Sequence, residues 1–358
     1  MNIASVFKNY TVNFVDSLDE IFELQKRCDT YFVFDKKVYE LYNGNMPNFN
    51  ETQFSLIEAV EQYKTIETVL AICEKLTSFN SKRNTVLITI GGGIVQDISG
   101  FIANILYRGI QWFYFPTTLL AACDSCIGGK SSLNYKTYKN LLGSFYPPDR
   151  IMIYPHFFKT LSLVDYYSGL GEVVKFNVLA GHDGIKSVVS EIDKLLDGDA
   201  EVLYAFIEKS LKFKKYFIEE DEFDKGKRIL LNFAHTFGHA FETTSRYAIP
   251  HGSAVVLGMI TANAISSRRR ILSQDIFKEI EFACKRIICL KLKEEWFNID
   301  AVVAAIKMDK KQTDNSISAI LLHDDFSLKL YKDICVDEIK QAILYMLRLF
   351  DFPWSNCQ

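Results

Sequence analysis

No stretch of this chain is apolar for long enough to cross a bilayer. Its most hydrophobic region, residues 101–122, is interrupted by Arg108, Gln111, Pro116, Thr117 and Thr118. Its first residues, MNIASVFKNYTVNF, lack a basic segment followed by an apolar run, so no signal peptide is expected. An excess of one charge is missing too. With 41 basic and 44 acidic residues the net charge is −3, which favours neither nucleic acid nor an anionic membrane as partner. The basic cluster Arg268-Arg269-Arg270 is short and reads as a solvated helix end. The eight cysteines are scattered without the spacing of a disulfide framework. Cys123-Asp-Ser-Cys126 has no second pair to complete a structural zinc site and no thioredoxin-like surroundings, so both thiols are expected to be buried. Internal repeats and low-complexity tracts are absent, and the chain reads as cytoplasmic.

What is present is a chain of 358 residues, 49% hydrophobic and 24% charged, an ordinary composition for a globular protein of about two domains. Residues 10–15, 30–35, 85–90, 112–115 and 150–154 read as strands, with helical patterns between them and a long helix over 62–78. Alternating strands and helices imply a parallel α/β sheet. From about residue 163 the period lengthens into helical segments at 163–179, 184–196, 200–219, 228–246, 252–273 and 275–290, then shorter ones to 351. The expected organisation is an α/β nucleotide-binding domain over 1–160 and an all-helical domain over 161–358, with the FDFPW tail docked on the body.

The buried strand ending at Ile90 runs into Gly91-Gly92-Gly93 and then into a helix holding Asp97 and Gly100. Strand, glycine turn and helix form an arrangement in which backbone N–H groups receive a phosphate. As G-x-G-x-x-G the motif is incomplete, because Gln96 takes the third glycine's place, and a tight turn packing helix on strand would look the same. Pro116-Thr117-Thr118 stands at the next strand-to-helix junction, where a hydroxyl can serve a ligand or simply cap the helix. Residues 124–145 are rich in Gly, Ser, Asn and Lys and read as loop or short elements. Lys130 beside two glycines and Lys139-Asn140 there suit an anion, although lone lysines are usually just solvated.

The most informative stretch is Arg228 to Glu242. Arg228, Asn232, His235, His239 and Glu242 fall at i, i+4, i+7, i+11 and i+14. On one helix they stay within about 40° of a single line. Polar groups lined up on a largely apolar helix are costly unless a ligand or metal satisfies them. His235 and His239 have the spacing of a zinc-protease helix, but Thr236 replaces its general-base Glu, which excludes that reading. His251 follows a helix break at Ile249-Pro250 and can fold back towards His235. Glu172 lies on an earlier helix, with Lys175 three residues on and facing the same way. Two His and one carboxylate make an established catalytic zinc set, and histidines satisfied in a core are the competing account. Spacing does not decide which of His235 and His239 binds metal.

With GGGIVQDISGF, Arg108-Gly109, FPTTLLAACDSCIGGK, KNLLGSFYPP, SGLGEVVK, R-x3-N-x2-HTFGHAFE and HGSAV in this order, the chain resembles 3-dehydroquinate synthase and the wider sugar-phosphate cyclase family over residues 60–311. The resemblance implies a fold of that type, NAD and zinc (or cobalt) as cofactors, a sugar phosphate as substrate and a homodimer. It also implies Glu172, His235 and His251 as metal ligands, with His239 handling protons. NAD contacts would come from Asp35, Glu61, Lys64, Gly92, Gly93, Asp97, Thr117 and Thr118. Substrate contacts would come from Asp124, Lys130, Asn140, Lys175, Lys214, Arg228, Asn232 and His239. Arg108 would reach the neighbouring subunit's phosphate site, and Lys310-Lys311 would close over the substrate. The implied reaction oxidises a secondary hydroxyl transiently, eliminates phosphate, restores the hydroxyl and closes a carbocycle by an aldol step.

Three positions depart from the family pattern: Gln96 for a glycine, which would crowd the pyrophosphate, Ser253 for a glutamate after His-Gly, and Asp224 for a longer glutamate. Together they mark a divergent branch. Related cyclases act on other C7 or amino sugar phosphates. The Lys214, Arg228 and Asn232 set suits a carboxylate and favours 3-deoxy-D-arabino-heptulosonate 7-phosphate. Metal-dependent polyol or alcohol dehydrogenases share the two-domain fold but have no use for Lys130, Asn140 or Lys214.

Overall fold

The computed structural model describes residues 1–79, 82–136, 138–308 and 317–350. They form two compact units: residues 1–161 with 215–223, and residues 162–214 with the chain from 224 onward. Among the described residues no helix is long and apolar enough to cross a membrane.

The first unit contains, in chain order, β1 (Asn2–Ile3), β2 (Tyr10–Phe14), α1 (Asp19–Gln25), β3 (Thr30–Asp35), α2 (Lys36–Tyr42), β4 (Phe54–Ile57), α3 (Ile66–Ser78), β5 (Val86–Gly91), α4 (Gly93–Ile105), β6 (Gln111–Pro116), β7 (Lys130–Tyr135), β8 (Tyr138–Phe145) and β9 (Arg150–Ile153). Seven strands make one sheet in the order β1-β2-β9-β6-β5-β3-β4. All neighbours in it are parallel except β1 with β2. Every residue of β5 is buried, which explains its unbroken aliphatic sequence: a strand covered on both faces has no solvent side to mark with polar residues. After β3 the chain moves outward to β4, and after β5 it moves the other way to β6. The carboxyl ends of β3 and β5 therefore flank a reversal of strand order, the position at which open α/β sheets bind ligands. Asp35 and Gly91 stand there.

Residues 130–145, expected as loop or short elements, form the antiparallel hairpin β7–β8, with a bulge between Leu133 and Tyr135. The polar composition hid it because most of β8 is exposed or half-buried and has little apolar alternation to show. The long helix begins at Ile66, four residues later than expected, after a 3-10 turn at Glu61–Tyr63.

The second unit holds α5 (Leu163–Leu179), α6 (His182–Asp197), α7 (Ala200–Glu220, whose last turns cluster with the first unit), α8 (His235–Thr244), α9 (His251–Arg268), α10 (Gln274–Arg286), α11 (Ile299–Met308), β10 (Ile317–Leu322), β11 (Leu328–Ile334) and α12 (Val336–Leu349). Residues 252–266 of α9 are all buried, so this helix is the core of the unit, and its Gly, Ala, Ser and Thr content suits close packing on every side. The unit is not all-helical: β10 and β11 pair as an antiparallel hairpin. Six buried or nearly buried residues, ISAILL, form β10, and periodicity alone cannot separate so short an apolar run from helix.

Arg228 to Glu242 is not one helix either. Lys227–Asn232 is a 3-10 segment, Phe233 is extended, and Ala234 is left-handed at φ 70° before α8 starts at His235. The single polar line therefore splits. His235, His239 and Glu242 keep a common face on α8, while Arg228 and Asn232 sit on the preceding segment. Ala234's backbone passes tightly against α9: a Cβ at Gly258 would lie 3.2 Å from the Ala234 carbonyl carbon. The FDFPW tail, except Phe350, lies outside the described residues.

Candidate active site

Helices α5, α8 and α9 of the second unit meet around one carboxylate, and glycines permit the approach. A Cβ on Gly171 would lie 2.7 Å from the Gly252 carbonyl carbon, and one on Gly252 would lie 2.6 Å from that of Ser168. Only two backbones without side chains fit there. The Gly252 N–H donates to Ser168 Oγ at 3.0 Å. This crossing brings Glu172, which follows Gly171, beside His251, which precedes Gly252.

Glu172 is fully buried. Its Oε2 pairs with Lys175 Nζ at 2.5 Å, and Lys175, 1% exposed, also donates to the Leu231 carbonyl at 3.4 Å. Glu172 Oε1 lies 3.3 Å from His251 Nε2 and 3.7 Å from His235 Nε2. His235 Nδ1 is 3.0 Å from the Phe233 carbonyl oxygen. A carbonyl only accepts, so Nδ1 carries a proton, and in the neutral ring Nε2 is the nitrogen with the lone pair. His251 Nδ1 is 3.4 Å from Glu242 Oε1. Burial alone would lower the pKa of His251, but its hydrogen bonds to Glu172 and Glu242 outweigh that and hold it up at about 10. The ring of His239 lies 5.3 Å from that of His235 and 6.2 Å from that of His251, at the half-buried rim.

One donor atom each from Glu172, His235 and His251 fall within 4.8 Å of one another. Two imidazole nitrogens, once a metal displaces the proton His251 holds here, and one carboxylate oxygen are a ligand set for a divalent zinc-like ion with a position left for substrate. The buried carboxylate shared by two rings and a lysine also fits a cation, because a dry Glu172 needs positive charge beside it.

The first unit gathers a second set of expected residues. Lys64, 7% exposed, pairs with Asp97 Oδ2 at 2.5 Å and donates to Asn140 Oδ1 at 2.7 Å. Ser132 donates to Asp97 through its backbone and its hydroxyl, both at 3.1 Å, and its hydroxyl reaches Asn140 Oδ1 at 2.9 Å. Asn134 Nδ2 donates to Glu61 Oε1 at 2.8 Å, and the Asn140 N–H donates to Asn134 Oδ1 at 2.9 Å. Burial raises the pKa of Asp97, and the Lys64 ammonium and Ser132 counter it. Asn140 joins this cluster although the resemblance places it on substrate; its left-handed φ of 52° turns the backbone there.

At the strand-order reversal Gly92 caps α4, and a Cβ on it would meet Thr118 Cγ2 at 2.8 Å. Gly93 opens α4, whose N-terminus suits an anion. The Thr117 hydroxyl is buried with no hydrogen-bond partner among the described residues, while Thr118 Oγ1 accepts from the Ala121 N–H at 3.2 Å. Asp35 caps α2 by accepting from the Lys37 N–H at 3.0 Å, and burial raises its pKa. A glycine cradle, a helix N-terminus and an orphaned hydroxyl are what a dinucleotide would satisfy. Gln96, expected to crowd this turn, is 3% exposed and spends both ends of its amide on Ser125, each at 2.6 Å.

The remaining expected residues lie on several elements. Asp124 lies in a π-turn, Ala121–Ser125, and Lys130 opens β7 with its ammonium 6.0 Å from the Phe145 ring centroid. Lys214 and Arg228 are buried, at 7% and 3% exposure, and Asn232 Nδ2 donates to the Ile229 carbonyl at 3.0 Å. Arg108 is exposed in a run of three left-handed residues, Tyr107, Arg108 and Gly109. Lys310 lies outside the described residues. Glu242, Ser132 and Asn134 had been given no role. Glu242 had a usable signal, seven residues after His235 on one helix face; the hairpin residues had none.

Models of the 3-dehydroquinate synthase N-terminal and C-terminal domains match residues 54–168 and 169–312. A 3-dehydroquinate synthase of Clostridium tetani is 36% identical over 346 residues, covering 94% of this chain and 91% of that protein. ValA, a 2-epi-5-epi-valiolone synthase from Streptomyces hygroscopicus solved with NAD+ and Zn2+ bound, superposes with a TM-score of 0.82 at 22% identity, covering 95% of this chain and 97% of that one. A 2-deoxy-scyllo-inosose synthase solved with carbaglucose-6-phosphate, NAD+ and Co2+ gives 0.82 at 23% identity, covering 96% and 98%. At these identities the structural likeness is one of fold.

Proposed function

The chain belongs to the 3-dehydroquinate synthase family, and from that membership we infer that it converts 3-deoxy-D-arabino-heptulosonate 7-phosphate to 3-dehydroquinate and phosphate. The observation that carries this reading is the donor set of Glu172, His235 and His251, built across three helices around one buried carboxylate. These three residues would hold zinc, or cobalt in its place, which when bound polarises a substrate hydroxyl oxygen. Asp35, Glu61, Lys64, Gly92, Gly93, Asp97, Thr117 and Thr118 would hold NAD, which accepts a hydride and later returns it.

The chain's own groups supply the rest. Lys175, fixed against Glu172 Oε2, keeps a positive charge beside the oxygen that becomes a carbonyl. His239, one turn after His235, takes up and returns the proton released as the substrate hydroxyl is oxidised and reduced. The ketone acidifies the adjacent C–H, whose proton passes to an oxygen of the departing phosphate as that group leaves by β-elimination with both electrons of its C–O bond, and the hydride then returns to the ketone. The ring then opens, and an intramolecular aldol forms the new C–C bond. From the resemblance, Lys130, Asn140, Lys214, Arg228 and Asn232 would hold the phosphate and carboxylate ends, and Asp124 would accept from a substrate hydroxyl. Arg108, exposed on a left-handed turn, fits a role on the phosphate of a second copy in a homodimer.

Purified protein supplied with NAD and zinc should release phosphate from 3-deoxy-D-arabino-heptulosonate 7-phosphate and form 3-dehydroquinate. Release only from sedoheptulose 7-phosphate, glucose 6-phosphate or an amino analogue would replace the substrate. Net NADH from a simple polyol would move the chain's activity to the dehydrogenases.

A further inference from the structure

The two histidines of the donor set are oriented by different means. His235 is 9% exposed, and the backbone carbonyl of Phe233 holds its Nδ1. His251 opens α9 directly after Pro250, and its side chain is 33% exposed. A partly exposed ring keeps some rotamer freedom to lose on binding a metal unless its second nitrogen is held. The group facing its Nδ1 is Glu242 Oε1 at 3.4 Å, while its Nε2 faces Glu172 Oε1 at 3.3 Å. Glu242 projects from α8 on the same face as His235, and its side chain is 15% exposed.

We propose that Glu242 is a positioning residue for the metal: its carboxylate accepts the Nδ1 proton of His251 and so aims Nε2 at the point shared with Glu172 and His235, where the metal would sit. The proposal rests on the Glu172/His235/His251 ligand reading. Carboxylate behind imidazole raises the basicity of the ligating nitrogen and fixes its tautomer, an effect that commonly changes metal affinity about tenfold to hundredfold. His239, Glu242 and His251 also place donor atoms within 4.8 Å of one another. With His251 Nε2 directed at Glu172, a second ion on Nδ1 would require an imidazole stripped of both ring protons. A hydrogen bond to Glu242 requires no such step.

The test measures zinc dissociation constants by chelator competition for the full chain and for Glu242→Ala and Glu242→Gln. Cobalt-substituted visible spectra and melting of the metal-free proteins are recorded alongside. Glu242→Ala should weaken zinc binding by about tenfold to hundredfold and shift the cobalt spectrum, with melting of the metal-free protein unchanged. Glu242→Gln should fall between, since its amide oxygen still accepts from Nδ1 but carries no charge. An alanine variant within about twofold of the parent affinity would overturn the proposal. So would loss of a second zinc equivalent with the first untouched, which would make Glu242 a ligand of a separate ion. Weakened binding that tracks lowered melting, with no recovery in Glu242→Gln, would assign it a structural role instead. A parent protein whose zinc survives His251→Ala would refute the ligand reading itself and is a separate outcome.

Discussion

Gly252→Ala tests whether the α5–α9 crossing sets the metal site. The added Cβ would lie 2.6 Å from the Ser168 carbonyl carbon. Carbon atoms rest at about 3.5 Å or more, and the Ser168 carbonyl oxygen lies nearer than its carbon, so the backbones must part by more than about 1 Å. Glu172 lies one turn after Ser168, and His251 adjoins Gly252. Their present separation of 3.3 Å therefore widens by a similar amount. Metal sites tolerate only about 0.2 Å in ligand distances. Overpacking of this kind costs about 1–3 kcal/mol, small enough for the fold to survive. The expected result is a protein with parental far-ultraviolet circular dichroism, a melting temperature lowered by a few degrees, and zinc lost to a chelator that leaves the parent loaded. Its kcat/KM should fall about 100-fold or more. Gly44→Ala is the control, because nothing lies within 4 Å of its Cβ position. Parental zinc affinity in Gly252→Ala would refute the reasoning.

Other outcomes follow from the same geometry. His251→Ala should emerge from gel filtration without zinc while keeping its helical content; a stoichiometric ion in that variant would remove His251 from the ligand set. Asp97→Asn leaves the buried Lys64 ammonium without its carboxylate and should lower stability by about 3 kcal/mol in a denaturant titration, with NAD affinity reduced as well. Arg269 contacts Glu338 at 2.6 and 2.8 Å, and chiefly through this hydrogen bonding it holds the Glu338 carboxyl at about 2, below its usual 4.5. A carboxylate depressed in the folded state contributes stability above its unfolded pKa and loses it as pH falls through the folded one. Unfolding free energy should therefore drop between pH 4.5 and about 2. Solvent screening limits the drop to about 1 kcal/mol. Glu338→Gln should flatten that part of the profile, and an unchanged slope would exclude the pair as its source.

Much of the fold was readable because its strands and helices carry their own pattern. β3 and α5 have the limits their periodicity predicts, since β3 is a continuous buried run and α5 lies between a Ser162 cap and Gly181. β4 went unread because four residues, FSLI, are too few to show a period. The break at Ala234 was also hidden. Alanine is a strong helix former, and its left-handed turn comes where its carbonyl packs closely against Gly258, a contact no local pattern announces. For the same reason a single polar line from Arg228 to Glu242 could be drawn on a helical wheel that the backbone does not follow. Tertiary proximity was legible only in part. Glu172 and His251 are far apart in sequence, and what brings them together is a glycine crossing that leaves no pattern in hydrophobic spacing. The hydrogen bonds of Ser132 and Asn134 depend likewise on a hairpin that polar composition disguised.

In the proposed reaction the redox cycle closes on itself while phosphate leaves. The most direct measurement follows phosphate release and nicotinamide absorbance together, in one reaction of the zinc-loaded protein with NAD and 3-deoxy-D-arabino-heptulosonate 7-phosphate. One phosphate should appear for each 3-dehydroquinate formed, with no net NADH at the end. Accumulating NADH, or no phosphate from this substrate while another sugar phosphate is consumed, would contradict it.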